Sequence, residues 1–399
     1  MENVSSRCGK SDNAPRLRFP EFRGEWVEKK LREIFFEVNE RKHPELPVLS
    51  IQQGIGTVFR DISERRISYD KANINAYKVI EPGDFIIHLR SFEGGLECSK
   101  HKGISSPAYK ILRSNCIDSA AFKDYFRSYN FIEGKLAAAV TGIRDGKNID
   151  MPTFWSLKIN IPSLPEQKKI AAFFTLFDRR IQKQRQFVEC LKTYKRGVIF
   201  SIFKKDNQFG IQIKKTPLSE LLTEYRNRNT KNLMVCSVAV GKGVVNQIEH
   251  LGRSFAAADT SNYGKVKPGD IVYTKSPTGN FPYGIVKQSR QKQDVAVSPL
   301  YGVYTPKSFS VGTLIHNYFE QSENANNYIR PLAQKGAKNT INITTSYFLQ
   351  GIIPFPKLED DIEKLANFFN LLDEKIQQTE NFLHNLSMQK KELLHRMFI

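Results

Sequence analysis

The phrase FFTLFDRRIQ (Phe173 to Gln182) returns as FFNLLDEKIQ (Phe368 to Gln377), 195 residues further along a chain of 399. Each copy lies in a long stretch without proline, Glu166 to Phe203 and Asp361 to Phe398. Read at alternating steps of four and three, the first gives Ile170, Phe174, Phe177, Ile181, Gln184, Val188, Leu191, Lys195, Val198 and Ile202. The second gives Leu365, Phe369, Leu372, Ile376, Thr379, Leu383, Leu386, Lys390, Leu393 and Met397. Eight of ten positions are apolar in both, and the two polar exceptions fall at the same places. An apolar seam held for about five heptads is the pattern of helices that pack on each other. A helix of about 38 residues, about 57 Å long, cannot hide such a stripe on one small domain. The first helix must carry the chain onward and the second must bring it back, so an antiparallel coiled coil is expected. Phe173 and Phe368 adjoin the seam without lying on it and are candidates for partner surface.

The duplication covers nearly the whole chain. LREIFFEV (Leu31 to Val38) aligns with LSELLTEY (Leu218 to Tyr225), and SIQQGIGTV (Ser50 to Val58) with SVAVGKGVV (Ser237 to Val245). EPGDFIIHLRS (Glu81 to Ser91) aligns with KPGDIVYTKSP (Lys267 to Pro277), each a Pro-Gly-Asp turn feeding a strand. SPAYKI (Ser106 to Ile111) aligns with SPLYGV (Ser298 to Val303), and TGIRDGKNI (Thr141 to Ile149) with KGAKNTINI (Lys335 to Ile343). The expected fold class is therefore α+β: two similar mixed α/β domains in tandem, each followed by a long helix, in a pseudo-twofold arrangement. The expected boundaries are a flexible tail over 1–16, a first domain over 17–162, a spacer helix over 163–204, a second domain over 205–358 and a second spacer helix over 359–399.

Sixty Lys and Arg against 41 Asp and Glu give a net charge of +19, the footprint of a partner carrying phosphates. The first helix contributes +6 and the second −1, which leaves +14 on the remainder, so backbone binding should concentrate on the domains. No run reaches the roughly 18 to 20 apolar residues of a membrane span, and the N-terminus has no signal-peptide core, so a cytoplasmic protein without membrane contact is expected. Five cysteines with no CxxC and no Cys/His cluster indicate neither a disulfide framework nor a metal site. The chain has no Pro-Pro and no GxxxxGK[ST] loop, so neither an amino-methyltransferase motif nor a phosphate loop is present. The GxG at Gly54 and Gly56, and that at Gly241 and Gly243, reads as a turn at a strand end. Asp373 to Lys375 is expected on a solvated helix face. No catalytic residue is expected.

The residues resemble the specificity (S) subunit of Type I restriction-modification enzymes. The likeness is carried by LRFPEFRGEWVEKKLREIF, INIPSLPEQKKIAAFFTLFDRRIQ, TPLSELL and IIPFPKLEDDIEKLANFFNLLDEKIQ. The second copy departs from the Ile-Pro-x-Leu-Pro-Glu-Gln join, with FPKLEDD in its place. The resemblance implies a non-catalytic reader of double-stranded DNA whose two target recognition domains each read half of an asymmetric bipartite site. It further implies helices that set the spacing, and two modification (M) and two restriction (R) subunits as partners. S-adenosylmethionine, ATP and Mg are then expected on those partners, with no cofactor in this chain. A tandem-domain DNA-binding regulator and an enzyme with a degenerate site are the competing readings; only the last predicts methylation or cleavage by the chain alone.

Base readers need long polar side chains on loops held by a rigid scaffold. The first choice is the matched loop with Gly142, Arg144 and Lys147 in one copy and Gly336, Lys338 and Asn339 in the other. Second are Arg90 and Ser91, matched by Lys275 and Ser276. Third are Arg60, Arg65 and Arg66.

Overall fold

The computed structural model describes residues 13–60, 71–88, 94–142, 148–204, 207–225, 227–229, 232–253, 256–335 and 341–398. They form two compact units, one running to Gln184 and including Phe382 onward, the other spanning Arg185–Asn381.

Unit 1 holds strands β1 (Val27–Lys30), β2 (Phe36–Val38), β3 (Leu49–Gln52), β4 (Gly56–Phe59), β5 (Lys78–Ile80), β6 (Phe85–His88), β7 (Glu97–Cys98), β8 (Gly103–Ser105), β9 (Tyr109–Arg113), β10 (Val140–Thr141), β11 (Asn148–Ile149) and β12 (Lys158–Ile161). One antiparallel sheet has the order β2-β9-β6-β7, and β1 pairs with β12, β3 with β4, β5 with β8 and β10 with β11. Unit 2 holds β13 (Ile213–Pro217), β14 (Leu222–Glu224), β15 (Cys236–Ala239), β16 (Gly243–Asn246), β17 (Gly264–Val266), β18 (Ile271–Tyr273), β19 (Val286–Gln288), β20 (Val295–Val297), β21 (Gly302–Pro306), β22 (Gln334–Lys335), β23 (Ile341–Asn342) and β24 (Ile352–Pro356). Its sheet has the order β14-β21-β18-β19, and the other pairs are β13 with β24, β15 with β16, β17 with β20 and β22 with β23. Every pairing of unit 1 thus recurs in unit 2, as the aligned phrases require.

The recurrence extends to single bonds. In the Pro-Gly-Asp turns, Gly83 and Gly269 take φ of 93° and 90°, which glycine adopts without steric cost. The Asp84 and Asp270 carboxylates accept the Glu81 and Lys267 N–H groups, each at 2.8 Å. The Gly83 and Gly269 N–H groups donate to Ser99 O and Ser289 O, each at 2.9 Å. The copies then diverge: Arg113 grips Asp84 with two bonds of 2.7 and 2.8 Å, whereas Thr305 donates one bond of 2.9 Å to Asp270. The GxG phrases are hairpin turns, with Gln52 opposite Gly56 and Ala239 opposite Gly243.

The long helices span Leu164–Ile202 and Glu359–Met397, 39 residues each. Within unit 1, Ile170 and Phe174 share a core with Leu394, Met397 and Phe398, while Arg180 lies over the Phe382 ring at 5.5 Å, so the segments run antiparallel. Within unit 2, Val198, Ile199 and Ile202 share a core with Ile362, Leu365 and Phe369, and Lys192 pairs with Glu380 at 2.8 Å. Every seam position read from the sequence is buried or half-buried, including Phe177, Ile181, Val188, Leu191, Leu372, Ile376, Leu383 and Leu386. The helix ends also enter the domain cores, which solves the burial of so long a stripe in a second way. Phe398 packs on Trp26, Phe122 and Tyr125, and Ile202 lies in the core that holds Tyr318 and Phe319. Off the seam, Phe173 is covered by Phe19 with ring centroids 5.8 Å apart, while Phe368 stays 36% exposed beside Tyr194.

The two polar seam lysines anchor matched ion clusters. In unit 1, Lys390 Nζ lies 2.5 Å from Asp178 and 2.7 Å from Asp124, and Lys123 reaches Asp178 at 2.7 Å. In unit 2, Lys195 Nζ lies 2.6 Å from Asp373 and 2.5 Å from Glu320, and Lys287 reaches Glu320 at 3.4 Å. Asp373 is therefore half-buried and paired, and the expectation of a solvated face there is corrected: it follows Leu372 on the seam and turns toward Lys195. Burial opposes the charge of Asp178 and of Glu320, yet both carboxyls are held low, Asp178 by Lys123 and Lys390, Glu320 by Lys287 and Lys195.

His316 sits inside the unit 2 cluster, and its Nδ1 accepts the Gln288 N–H at 3.0 Å. Burial, reinforced by the Lys287 charge, drives its pKa well below the ordinary 6.5, so the folded ring is neutral. The unfolded chain takes up a proton near pH 6.5 that the folded unit refuses. Stability is expected to fall as pH drops below about 6.5, by up to about 1.4 kcal/mol per pH unit for one proton. Thermal unfolding between pH 7 and 5 checks this, and His316→Asn, whose Oδ1 can accept the same N–H, should flatten the slope. An equal slope in the variant would assign the effect elsewhere.

The Pro-Glu-Gln join is a lock for the first helix. Glu166 and Gln167 are each 1% exposed. Arg18 grips the Glu166 carboxylate with two bonds of 2.7 Å, and Trp26 Nε1 donates to it at 3.3 Å. Gln167 accepts the Asp118 N–H at 2.7 Å and donates to Pro162 O at 2.9 Å. Where FPKLEDD replaces this phrase, Asp360 is exposed and Asp361 half-buried.

Candidate nucleic-acid interface

The candidate contact segments leave the scaffold at strand ends. β10 and β11 pair Val140 with Ile149 and Thr141 with Asn148, and Gly142 follows with φ 83°. Arg144 and Lys147 lie outside the described residues, as do Gly336, Lys338 and Asn339. The strands flanking the latter pair in the same way, Gln334 with Asn342 and Lys335 with Ile341. Arg90, Ser91, Arg65 and Arg66 also lie outside the described residues.

Lys275 and Ser276 follow β18 after one intervening residue, Thr274. Ser276 to Asn280 are exposed, and the segment turns back through a bridge between Thr278 and Phe281. Lys275 is half-buried, and burial lowers its pKa. A partly desolvated ammonium gains more from an incoming phosphate than a hydrated one does.

Arg60 ends the β3–β4 hairpin and His88 ends β6. Register places His88 opposite Tyr109, with ring centroids 5.1 Å apart at 74°. Burial raises the Tyr109 hydroxyl pKa, and the Arg60 charge works against that rise. His88 by ring contact and Arg60 by its charge, residues far apart in sequence, therefore both act on one tyrosine. Tyr301 is its counterpart in unit 2, half-buried and likewise pushed up by burial. Sequence reasoning missed both tyrosines, although the aligned SPAYKI and SPLYGV contain them.

Other chemistry is thinly represented. Burial pushes the Cys98 and Cys236 thiols up to about 11, away from the thiolate a nucleophile requires. Among the described residues no group of three or more His, Cys, Asp or Glu is placed to hold a metal ion, and no helix is long and apolar enough to cross a membrane.

One mixed α and β unit, repeated with its pairings intact and followed each time by a 39-residue helix, defines a class of internally duplicated two-unit proteins. A sequence profile described as the type I restriction modification DNA specificity domain matches residues 117–188. The type I restriction enzyme MjaVIII specificity subunit of Methanocaldococcus jannaschii is 23% identical over 391 residues, covering 89% of this chain and 85% of its own. The crystal structure of a type I restriction-modification S subunit from M. genitalium shares the fold with a TM-score of 0.56 at 12% identity, over 97% of this chain and 99% of that one. A chain from a structure concerning complex assembly and conformational transition of the type I R-M system gives a TM-score of 0.51 at 13% identity, over 92% of this chain and 96% of that one. Over residues 117–188 in sequence profile and over nearly its whole length in fold, the chain is similar to type I restriction-modification specificity subunits.

Proposed function

We propose that each unit reads one half of an asymmetric bipartite DNA site and that the two long helices set the separation between the halves. The observation that carries this reading is the duplication itself: identical strand pairings in both units, with different residues on the loops that leave them. Equal scaffolds present equivalent surfaces to DNA, and unequal loops make the half-sites differ in sequence. The chain supplies recognition without chemistry. Two modification subunits and two restriction subunits then assemble on it in the cytoplasm, carrying S-adenosylmethionine, ATP and Mg.

Within this reading, Gly142, Arg144 and Lys147 serve one half-site, and Gly336, Lys338 and Asn339 serve the other. Arg90, Ser91, Arg60, Arg65 and Arg66 support the first, and Lys275 and Ser276 the second. Arg144→Ala should weaken or relax reading of one half-site by about 1 to 3 kcal/mol, the worth of a bidentate base contact, and Lys338→Ala should do so at the other. Binding to duplexes mutated in either half measures this. Equal loss at both halves for each variant would rule the assignment out.

A further inference from the structure

We propose that Arg60 and Gln247 are base-specifying side chains at equivalent positions, one for each half-site; this rests on the bipartite reading above. Arg60 directly follows β4 and Gln247 directly follows β16. The equivalence holds bond by bond. The Arg60 N–H donates to Val48 O at 3.0 Å and the Gln247 N–H to Val235 O at 3.1 Å. Arg60 Nε donates to Ser50 Oγ at 3.2 Å, and Gln247 Nε2 to Ser237 Oγ at 3.1 Å. Each serine occupies the same place in its hairpin, Ser50 opposite Val58 and Ser237 opposite Val245. Each hairpin also meets the next strand pair through a parallel bridge, Val48 to Ile104 and Val235 to Ala296.

One scaffold position thus carries two different polar heads in one orientation. A brace to serine needs only a donor, which either head supplies. What distinguishes them is their match to base edges: a guanidinium fits guanine O6 and N7 with two donors, while a carboxamide fits adenine N6 and N7 with an acceptor and a donor. An asymmetric site requires such a difference at equivalent positions. Both side chains are half-buried, and the serine bond fixes each head before DNA arrives, which reduces the ordering cost of a specific contact.

The test uses the full chain assembled with its modification subunits, and sequencing that maps methylated sites. Arg60→Gln should change the preferred base at one position of one half-site, from G toward A, by roughly ten- to a hundredfold. Gln247→Arg should make the opposite change in the other half-site. Arg60→Lys keeps a charge and a donor for Ser50 but loses the planar fork, so it should loosen preference at that same position while the chain stays as stable to heat as before. A complex that still methylates an unchanged bipartite site with all three variants would overturn the proposal and leave the bipartite reading standing. Methylation of sites with no two-part pattern in the unaltered complex would overturn both.

Discussion

Phe398→Ala is expected to destabilise unit 1 by about 3 to 5 kcal/mol, a large cost for a residue at the end of a helix. Terminal residues ordinarily fray, and truncating one changes little. Phe398 is 4% exposed and is surrounded by aromatic rings: edge-on to Trp26 at 5.8 Å, edge-on to Phe122 at 5.5 Å and stacked on Tyr125 at 4.9 Å. Removing the ring opens a cavity whose walls are large and already interlocked, so little collapse can refill it. Hydrogen exchange under mild denaturant measures the effect unit by unit. Peptides of the β2-β9-β6-β7 sheet should lose protection while those of the β14-β21-β18-β19 sheet keep theirs. A change below about 1 kcal/mol in unit 1 would mean that the helix end is not part of its core.

The duplicated fold was legible because its signals are local and occur twice. A Pro-Gly-Asp turn, a GxG hairpin and a heptad seam each declare themselves within ten residues or so, and their common order in both halves leaves one economical architecture. The energetic joints were not legible, because they link positions far apart. Nothing near Glu166 announces Arg18, 148 residues away, as the partner of its carboxylate. Lys195 and Lys390 were visible as polar gaps in an apolar seam, but Glu320 and Asp124, which satisfy them from the globular parts, carry no periodic mark. Asp373 was misplaced for the same reason: an acid beside a seam faces solvent unless a domain residue turns the site inward. Of the residues read as DNA contacts, the structure places Gly142, Arg60, Lys275 and Ser276, while Arg144, Lys147, Gly336, Lys338, Asn339, Arg90, Ser91, Arg65 and Arg66 lie outside the described residues. Gln247 is an unremarkable glutamine in sequence. It becomes significant only when its serine bond coincides with that of Arg60.

Lys195→Met should cost unit 2 more than Lys390→Met costs unit 1, although the two lysines occupy matching seam positions. Lys195 has 8% of its side-chain surface exposed and holds two carboxylates, Glu320 and Asp373. Methionine fills the volume and removes the charge, which leaves those carboxylates facing each other with Lys287, 3.4 Å from Glu320, and the Arg290 charge in partial compensation. Breaking a fully buried pair costs about 3 to 5 kcal/mol. Glu320 and Asp373 keep 34% and 36% of their side-chain surface, so water recovers part of the loss and about 2 to 3 kcal/mol is expected. Lys390 is 16% exposed, and after its removal Lys123 still neutralises Asp178 at 2.7 Å, so about 1 to 2 kcal/mol is expected there. Asp373→Asn in the Lys195→Met background should return part of the stability by removing one of the two facing charges. Denaturant unfolding of the single and double variants measures all three terms. Equal costs for the two lysines, or no recovery in the double variant, would show that the unit 2 cluster is held by packing and not by charge.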